Sequence, residues 1–125
     1  VVVFINPQKA SASQGGVVTV TATSNYVLDN SHNVNISITA RVEYAYDEGS
    51  YGWVIDIIPK GWSKDSVNVA IDNMDYVEQY GYTTSMATYV FHYTGHAADG
   101  DDYYYGYVTF RFYVDEWGNI DYWLE

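Results

Sequence analysis

The chain has 125 residues, 48% of them hydrophobic and 18% aromatic, and its 16 acidic residues outweigh 5 basic ones to give a formal net charge of −11. This is one domain's length with too much apolar content for a disordered chain, and its acidity excludes a surface built for nucleic acid or anionic lipid. No apolar run approaches the roughly 18 residues of a membrane span, and the lack of cysteine removes disulfides and thiolate metal sites.

Fifteen tyrosines, four tryptophans and four phenylalanines accompany abundant Val, Ile and Thr, all strand formers. The first run is Val1 to Ile5, stopped by Asn6-Pro7. Val1, Val3 and Ile5 fill one face and Val2 and Phe4 the other, so the segment asks for burial on both sides. Residues 6–16 are small and polar and read as a flexible tether, about 36 Å long when extended. Residues 17–125 read as the folded domain. Because the first residue is valine, we expect a removed secretory leader and an extracellular location.

Val17 to Thr23 alternates, with Val18, Val20 and Ala22 on one face. After an Asn/Asp/Ser loop, Val34 to Tyr46 is the clearest strand: Val34, Ile36, Ile38, Ala40, Val42, Tyr44 and Tyr46 share a face. Asp47-Glu48-Gly49-Ser50 predicts a hairpin into a strand from Tyr51 to Ile58, which Pro59-Lys60-Gly61-Trp62 should end. Ser66 to Asp72 predicts a short strand with Val67, Val69 and Ile71 inward. Between Asn73 and Tyr80 the residues Met74, Val77 and Tyr80 recur at helical spacing, enough for one turn of helix. Thr83 to Tyr93, Tyr103 to Val114 and Ile120 to Leu124 complete the strands, the middle one with Val108, Phe110, Phe112 and Val114 inward. About eight strands with turn chemistry between them predict an all-β fold, an antiparallel two-sheet sandwich.

Asn6-Pro7 followed by Gly16-Val17-Val18-Thr19-Val20-Thr21-Ala22, and the P-x-G-W segment of Ile58-Pro59-Lys60-Gly61-Trp62, resemble bacterial and archaeal immunoglobulin-like surface modules. The resemblance implies an immunoglobulin-like extracellular sandwich and names no ligand.

Chemistry-bearing residues are sparse. His92 and His96 lie four apart, but a strand running into a loop does not give the helical geometry of a metal pair. Asp99, Asp101 and Asp102 form the densest acidic cluster and are the candidate calcium ligands, although the closing Glu of an EF-hand loop is missing and plain loop acidity explains them as well. With no nucleophile motif and no phosphate loop, we expect no enzyme and no resident cofactor. Tyr103, Tyr105 and Tyr107 fall on the face opposite Val108 and Phe110, and with Tyr44 and Trp53 they are the candidate aromatic interface. Cross-strand pairing, a subunit contact and stacking on sugars all suit such rows. Asn35-Ile36-Ser37 is the one N-x-S/T sequon not followed by proline, so Asn35 is the candidate N-glycosylation site of a glycoprotein. Lys9, Lys60 and Lys64 could serve an isopeptide bond, but the sequence offers no partner.

A lone small domain, a doubly apolar leading strand and a tether behind it are together the parts of a strand-donating polymer. The arrangement is similar in architecture to chaperone–usher pilins and archaeal thread-like pilins. The expected function is therefore a structural subunit of an extracellular, pilus-like filament, in which residues 1–5 complete a neighbouring copy and head-to-tail repetition builds an open fibre. Burying Val1, Val3 and Ile5 would contribute roughly 5–9 kcal/mol gross, at about 1.5–3 each. The alternative is a monomeric carbohydrate-binding or cell-adhesion module that uses the exposed Tyr/Trp side chains.

Overall fold

The structure, a computed structural model, describes residues 13–125. The expected donor strand Val1 to Ile5 and most of the tether lie outside the described residues. The fold is an all-β sandwich of two antiparallel sheets, an architecture compatible with an immunoglobulin-like domain. One sheet holds β1 (Gln14–Val27), β2 (Asn33–Asp47) and β3 (Tyr51–Asp65) in that order. The other holds β4 (Val69–Tyr80), β5 (Met86–Ala97), β6 (Tyr103–Val114) and β7 (Ile120–Leu124). Each sheet is a meander of consecutive strands, and the chain changes sheets between β3 and β4.

The core follows from period-two alternation on the two inner faces. Val34, Ile36, Ile38, Ala40 and Val42 of β2 meet Val108, Phe110, Phe112 and Val114 of β6, all buried. Val20 and Ala22 of β1, Val54 and Ile57 of β3, and Ala87 and Phe91 of β5 extend that core. Polar residues take the outer face: Thr21 bonds Thr39 at 2.8 Å, and Thr23 bonds Ser37 at 2.7 Å. The Asp47–Ser50 hairpin is present, with Gly49 at φ 76° and the Ser50 amide donating to the Asp47 carbonyl at 2.8 Å.

Several expectations change. β1 starts at Gln14, so the last three residues of the expected tether belong to a strand paired with β2. β3 does not stop at Pro59; it continues to Asp65, because an edge strand tolerates a residue without an N–H. The segment from Asn73 to Tyr80 is strand, not helix, being the second half of β4. Val67 is not inward but 98% exposed, in the turn before β4. The alternation of β2 breaks near its end, where a register shift between Glu43 and Tyr44 accompanies burial of Ala45 and half-exposure of Tyr46.

Candidate functional site

The sandwich is closed along one side and open along the other. On the closed side β1 lies against β7, where the Tyr26 hydroxyl donates to the Glu125 carbonyl at 2.9 Å. β2 and β3 face β6 and β5, which leaves β4 overhanging with no strand across from most of its length among the described residues. Burial along β4 accordingly runs from Val69, fully buried, to an exposed second half.

The opening between β3 and β4 is a groove of about 460 Å³, walled by Pro59 to Trp62 and by Met74 and Tyr76, with Tyr89 and Phe91 at its base. Register explains why it is apolar. Trp62 pairs with Ile38 and Pro59 with Ala40, both fully buried partners; Met74 pairs with Tyr93 and Tyr76 with Phe91. Side chains of directly paired residues project to the same face, so all four lie on inner faces. Trp62 is nonetheless 41% exposed and Tyr76 is 52% exposed. These are core positions that no described residue covers. Tyr76 and Tyr89 stack obliquely with centroids 4.8 Å apart, and Tyr89 meets Phe91 at 5.1 Å. Burial, more than its neighbour Tyr76, pushes the Tyr89 hydroxyl above its ordinary pKa.

The backbone edge beside this groove is partly used. Val54 exchanges bonds with Thr83 and Thr84 of the β4–β5 turn, each at 2.9 Å, and the Ile57 amide donates to the Tyr82 hydroxyl at 3.2 Å. Beyond Ile57, β3 pairs only with β2 among the described residues, so residues 58–65 present a free edge.

The candidate aromatic interface divides. Tyr103, Tyr105 and Tyr107 stand on the outer face of the four-stranded sheet, 82%, 78% and 61% exposed. His92 sits between two of them, 6.3 Å from Tyr105 and 5.2 Å from Tyr107 by ring centroid. Tyr44 does not join this row; it packs on Phe112 at 6.0 Å, against the core. Trp53 is half-buried at the hairpin beside Tyr51. His96 lies within β5 and not in a loop, and it bonds Asp72 at 2.9 Å. Asn35 is exposed, its side-chain oxygen accepting from Asn25 at 3.0 Å.

The acidic cluster is also divided. Asp99 turns toward His32, accepting from Nε2 at 2.8 Å, while Nδ1 donates to Asp29 at 2.9 Å. Asp101 lines a second opening with His96, Gly100 and Tyr103, and the Asp102 carbonyl accepts from the Ala97 amide. Among the described residues no three His, Asp or Glu side chains group as a metal site.

His32 is a clasp that sequence reading missed. It joins the β1–β2 loop to the β5–β6 loop, and Tyr104 donates to the other Asp29 oxygen at 2.6 Å. Both ring nitrogens face carboxylates, so the ring can donate to both only as the imidazolium. The bond to Asp99, then that to Asp29, raises the His32 pKa above 6.5. Tyr104, the Ser31 amide and His32 hold Asp29 well below the carboxylate range, and His32 lowers Asp99. Tyr104 itself is pushed up to about 12, chiefly by its bond to Asp29.

The signs are opposite for base and acids. His32 stabilises the fold fully below its unfolded pKa, and this is lost as pH rises through the raised folded value. Asp29 and Asp99 stabilise above their unfolded pKa of 3.8, and this is lost as pH falls through the lowered folded values. The melting temperature is therefore expected to peak in mildly acidic solution and to fall toward alkaline pH. His32→Asn is expected to flatten the alkaline fall, measured by circular dichroism across about pH 4 to 9. An identical slope in that variant would remove His32 as its cause.

No protein-family model matches this chain, nor does any curated protein or solved structure.

Proposed function

We propose that this protein is a structural subunit of an extracellular filament, polymerised head to tail by donation of the Val1 to Ile5 strand. The observation that carries the reading is the open side of the sandwich, where inner-face residues Trp62 and Tyr76 lie uncovered, among the described residues, beside a strand edge that pairs with none of them. An apolar groove with unpaired backbone is a site for β-strand addition, and left bare it is an aggregation hazard. The sequence supplies a matching strand, apolar on both faces and tethered by small polar residues. With a net charge of −11, copies repel at long range, so association calls for a local, desolvated contact of this kind.

Deleting residues 1–5 is expected to abolish polymers while leaving the sandwich folded, as read by electron microscopy and circular dichroism. Persistence of fibres after the deletion would end the proposal.

A second reading rests on the row of Tyr103, Tyr105 and Tyr107, whose exposure suits stacking on a glycan. Under it the chain is a monomeric adhesion module. A discrete 14.2 kDa species at high concentration favours this reading, and Tyr105→Ala should then weaken retention on immobilised polysaccharide.

A further inference from the structure

We infer that the free edge of β3, residues 58–65, is the acceptor, and that it takes Val1 to Ile5 of a second copy as a fourth strand of the three-stranded sheet. The inference rests on the filament reading and adds the place and the partner. Three observations choose this edge. First, among the described residues the sheets hold three and four strands, and β4 is the strand without a counterpart. One strand beside β3 would lie across from β4 and cover Met74 and Tyr76; one added beside β4 would lengthen the overhang.

Second, the edge of β4 is defended. It carries Asp72, Asp75 and Glu78, and its pairing with β5 is interrupted between Ile71 and Asn73 and again between Tyr76 and Glu78. Bulges and charges of this kind discourage pairing. Residues 58–65 of β3 are interrupted once, at Lys60 opposite Thr39 and Ala40, and carry Lys60, Lys64 and Asp65, but Gly61 to Asp65 pairs with β2 without a break, a longer even run than β4 offers beside the groove.

Third, both faces of the incoming strand find apolar neighbours. Its Val1, Val3 and Ile5 side chains would face Trp62, Met74 and Tyr76 in the groove. Val2 and Phe4 would fall on the outer face, where Ile58 is 38% exposed. That accounts for a strand apolar on both sides at a sheet edge, where an alternating one is the norm.

A second copy is the occupant because of where the chain enters the sheet. β1 is the edge opposite β3, so an insertion into its own groove would lead the tether across both β2 and β3. Residues 8–13 (Gln-Lys-Ala-Ser-Ala-Ser) have no large apolar side chain to hold them across that surface.

The test uses two variants of the 125-residue chain. Val3→Asp/Phe4→Asp removes the donor, and Trp62→Asp/Tyr76→Asp removes the acceptor, at positions exposed enough to leave the fold intact. Each alone is expected to be monomeric by light scattering, and an equimolar mixture is expected to stop at a species of twice the 14.2 kDa chain mass. Polymers formed by the acceptor variant would overturn this assignment while the filament reading stands. A wild-type chain that is monomeric would end both. As an independent readout, a synthetic peptide of residues 1–9 titrated into the chain lacking residues 1–5 is expected to blue-shift tryptophan emission and lose that effect in Trp62→Phe. A peptide that leaves the emission unchanged counts against the groove.

Discussion

Replacing Phe110 with alanine is expected to lower the stability of the sandwich by about 3–5 kcal/mol, the range for a large aromatic truncated in a closed core. Phe110 is fully buried on β6, paired with Tyr89 on one side and Leu124 on the other. Its ring sits under the β2 row that forms the opposite layer, and rigid strands on every side limit how far the cavity can collapse. A domain of this size has about 5–15 kcal/mol to lose, so the variant would sit near the limit of folding at growth temperature. Urea denaturation should show a lower midpoint with an unchanged slope. Tyr105→Ala is the control on the same strand. Its side chain is 78% exposed on the opposite face, and its loss should change stability by less than about 0.5 kcal/mol. Equal costs at the two positions would contradict the assignment of inner and outer faces.

That contrast between faces was legible in the sequence because β2 and β6 are each covered on one side only. A strand between core and solvent writes its burial as alternation, and Val34 to Val42 and Val108 to Val114 do so without interruption. β4 did not, for a physical reason. It overhangs the other sheet, so no continuous apolar face is required of it, and two register shifts displace its inward residues from a period of two. The inward residues there are Met74, Tyr76 and Gln79, whereas Val77 falls at a bulge and Tyr80 opposite Thr88, so the helix-like spacing of Met74, Val77 and Tyr80 marks no common face. Likewise Pro59 and Gly61 are stop signals in a central strand, but β3 is an edge, and the chain carries on through them to Asp65.

The groove and the clasp were less accessible still. Trp62 and Tyr76 are conspicuous one by one, yet their convergence depends on the register of β3 on β2 and of β4 on β5. His32 meets Asp99 across 67 positions and Asp29 meets Tyr104 across 75, separations at which local sequence carries no signal. Both features belong to the packing of two sheets, which the pattern of any single strand does not record.

Gly81→Val is the second large effect expected, and it bears on the groove as well as on the fold. Gly81 opens the β4–β5 turn with φ 88°, a left-handed conformation that a β-branched residue adopts only under strain of about 1–3 kcal/mol. A Cβ there would also run into the backbone carbonyl of Met86, which cannot swing aside as a side chain does. Shifting that strand should add about 1–3 kcal/mol. The consequence spreads because the turn is a strap. Thr83 and Thr84 bond Val54 from this loop, and Tyr82 bonds Ile57, so the turn fixes β3 just short of its free edge. In the variant, hydrogen exchange is expected to accelerate at the Val54 and Ile57 amides before it does at Val42 or Phe112. Uniform acceleration across both sheets would mean that the turn acts only on global stability. Selective loss at Val54 and Ile57 would show that the strap holds β3 in place where its pairing with the turn ends.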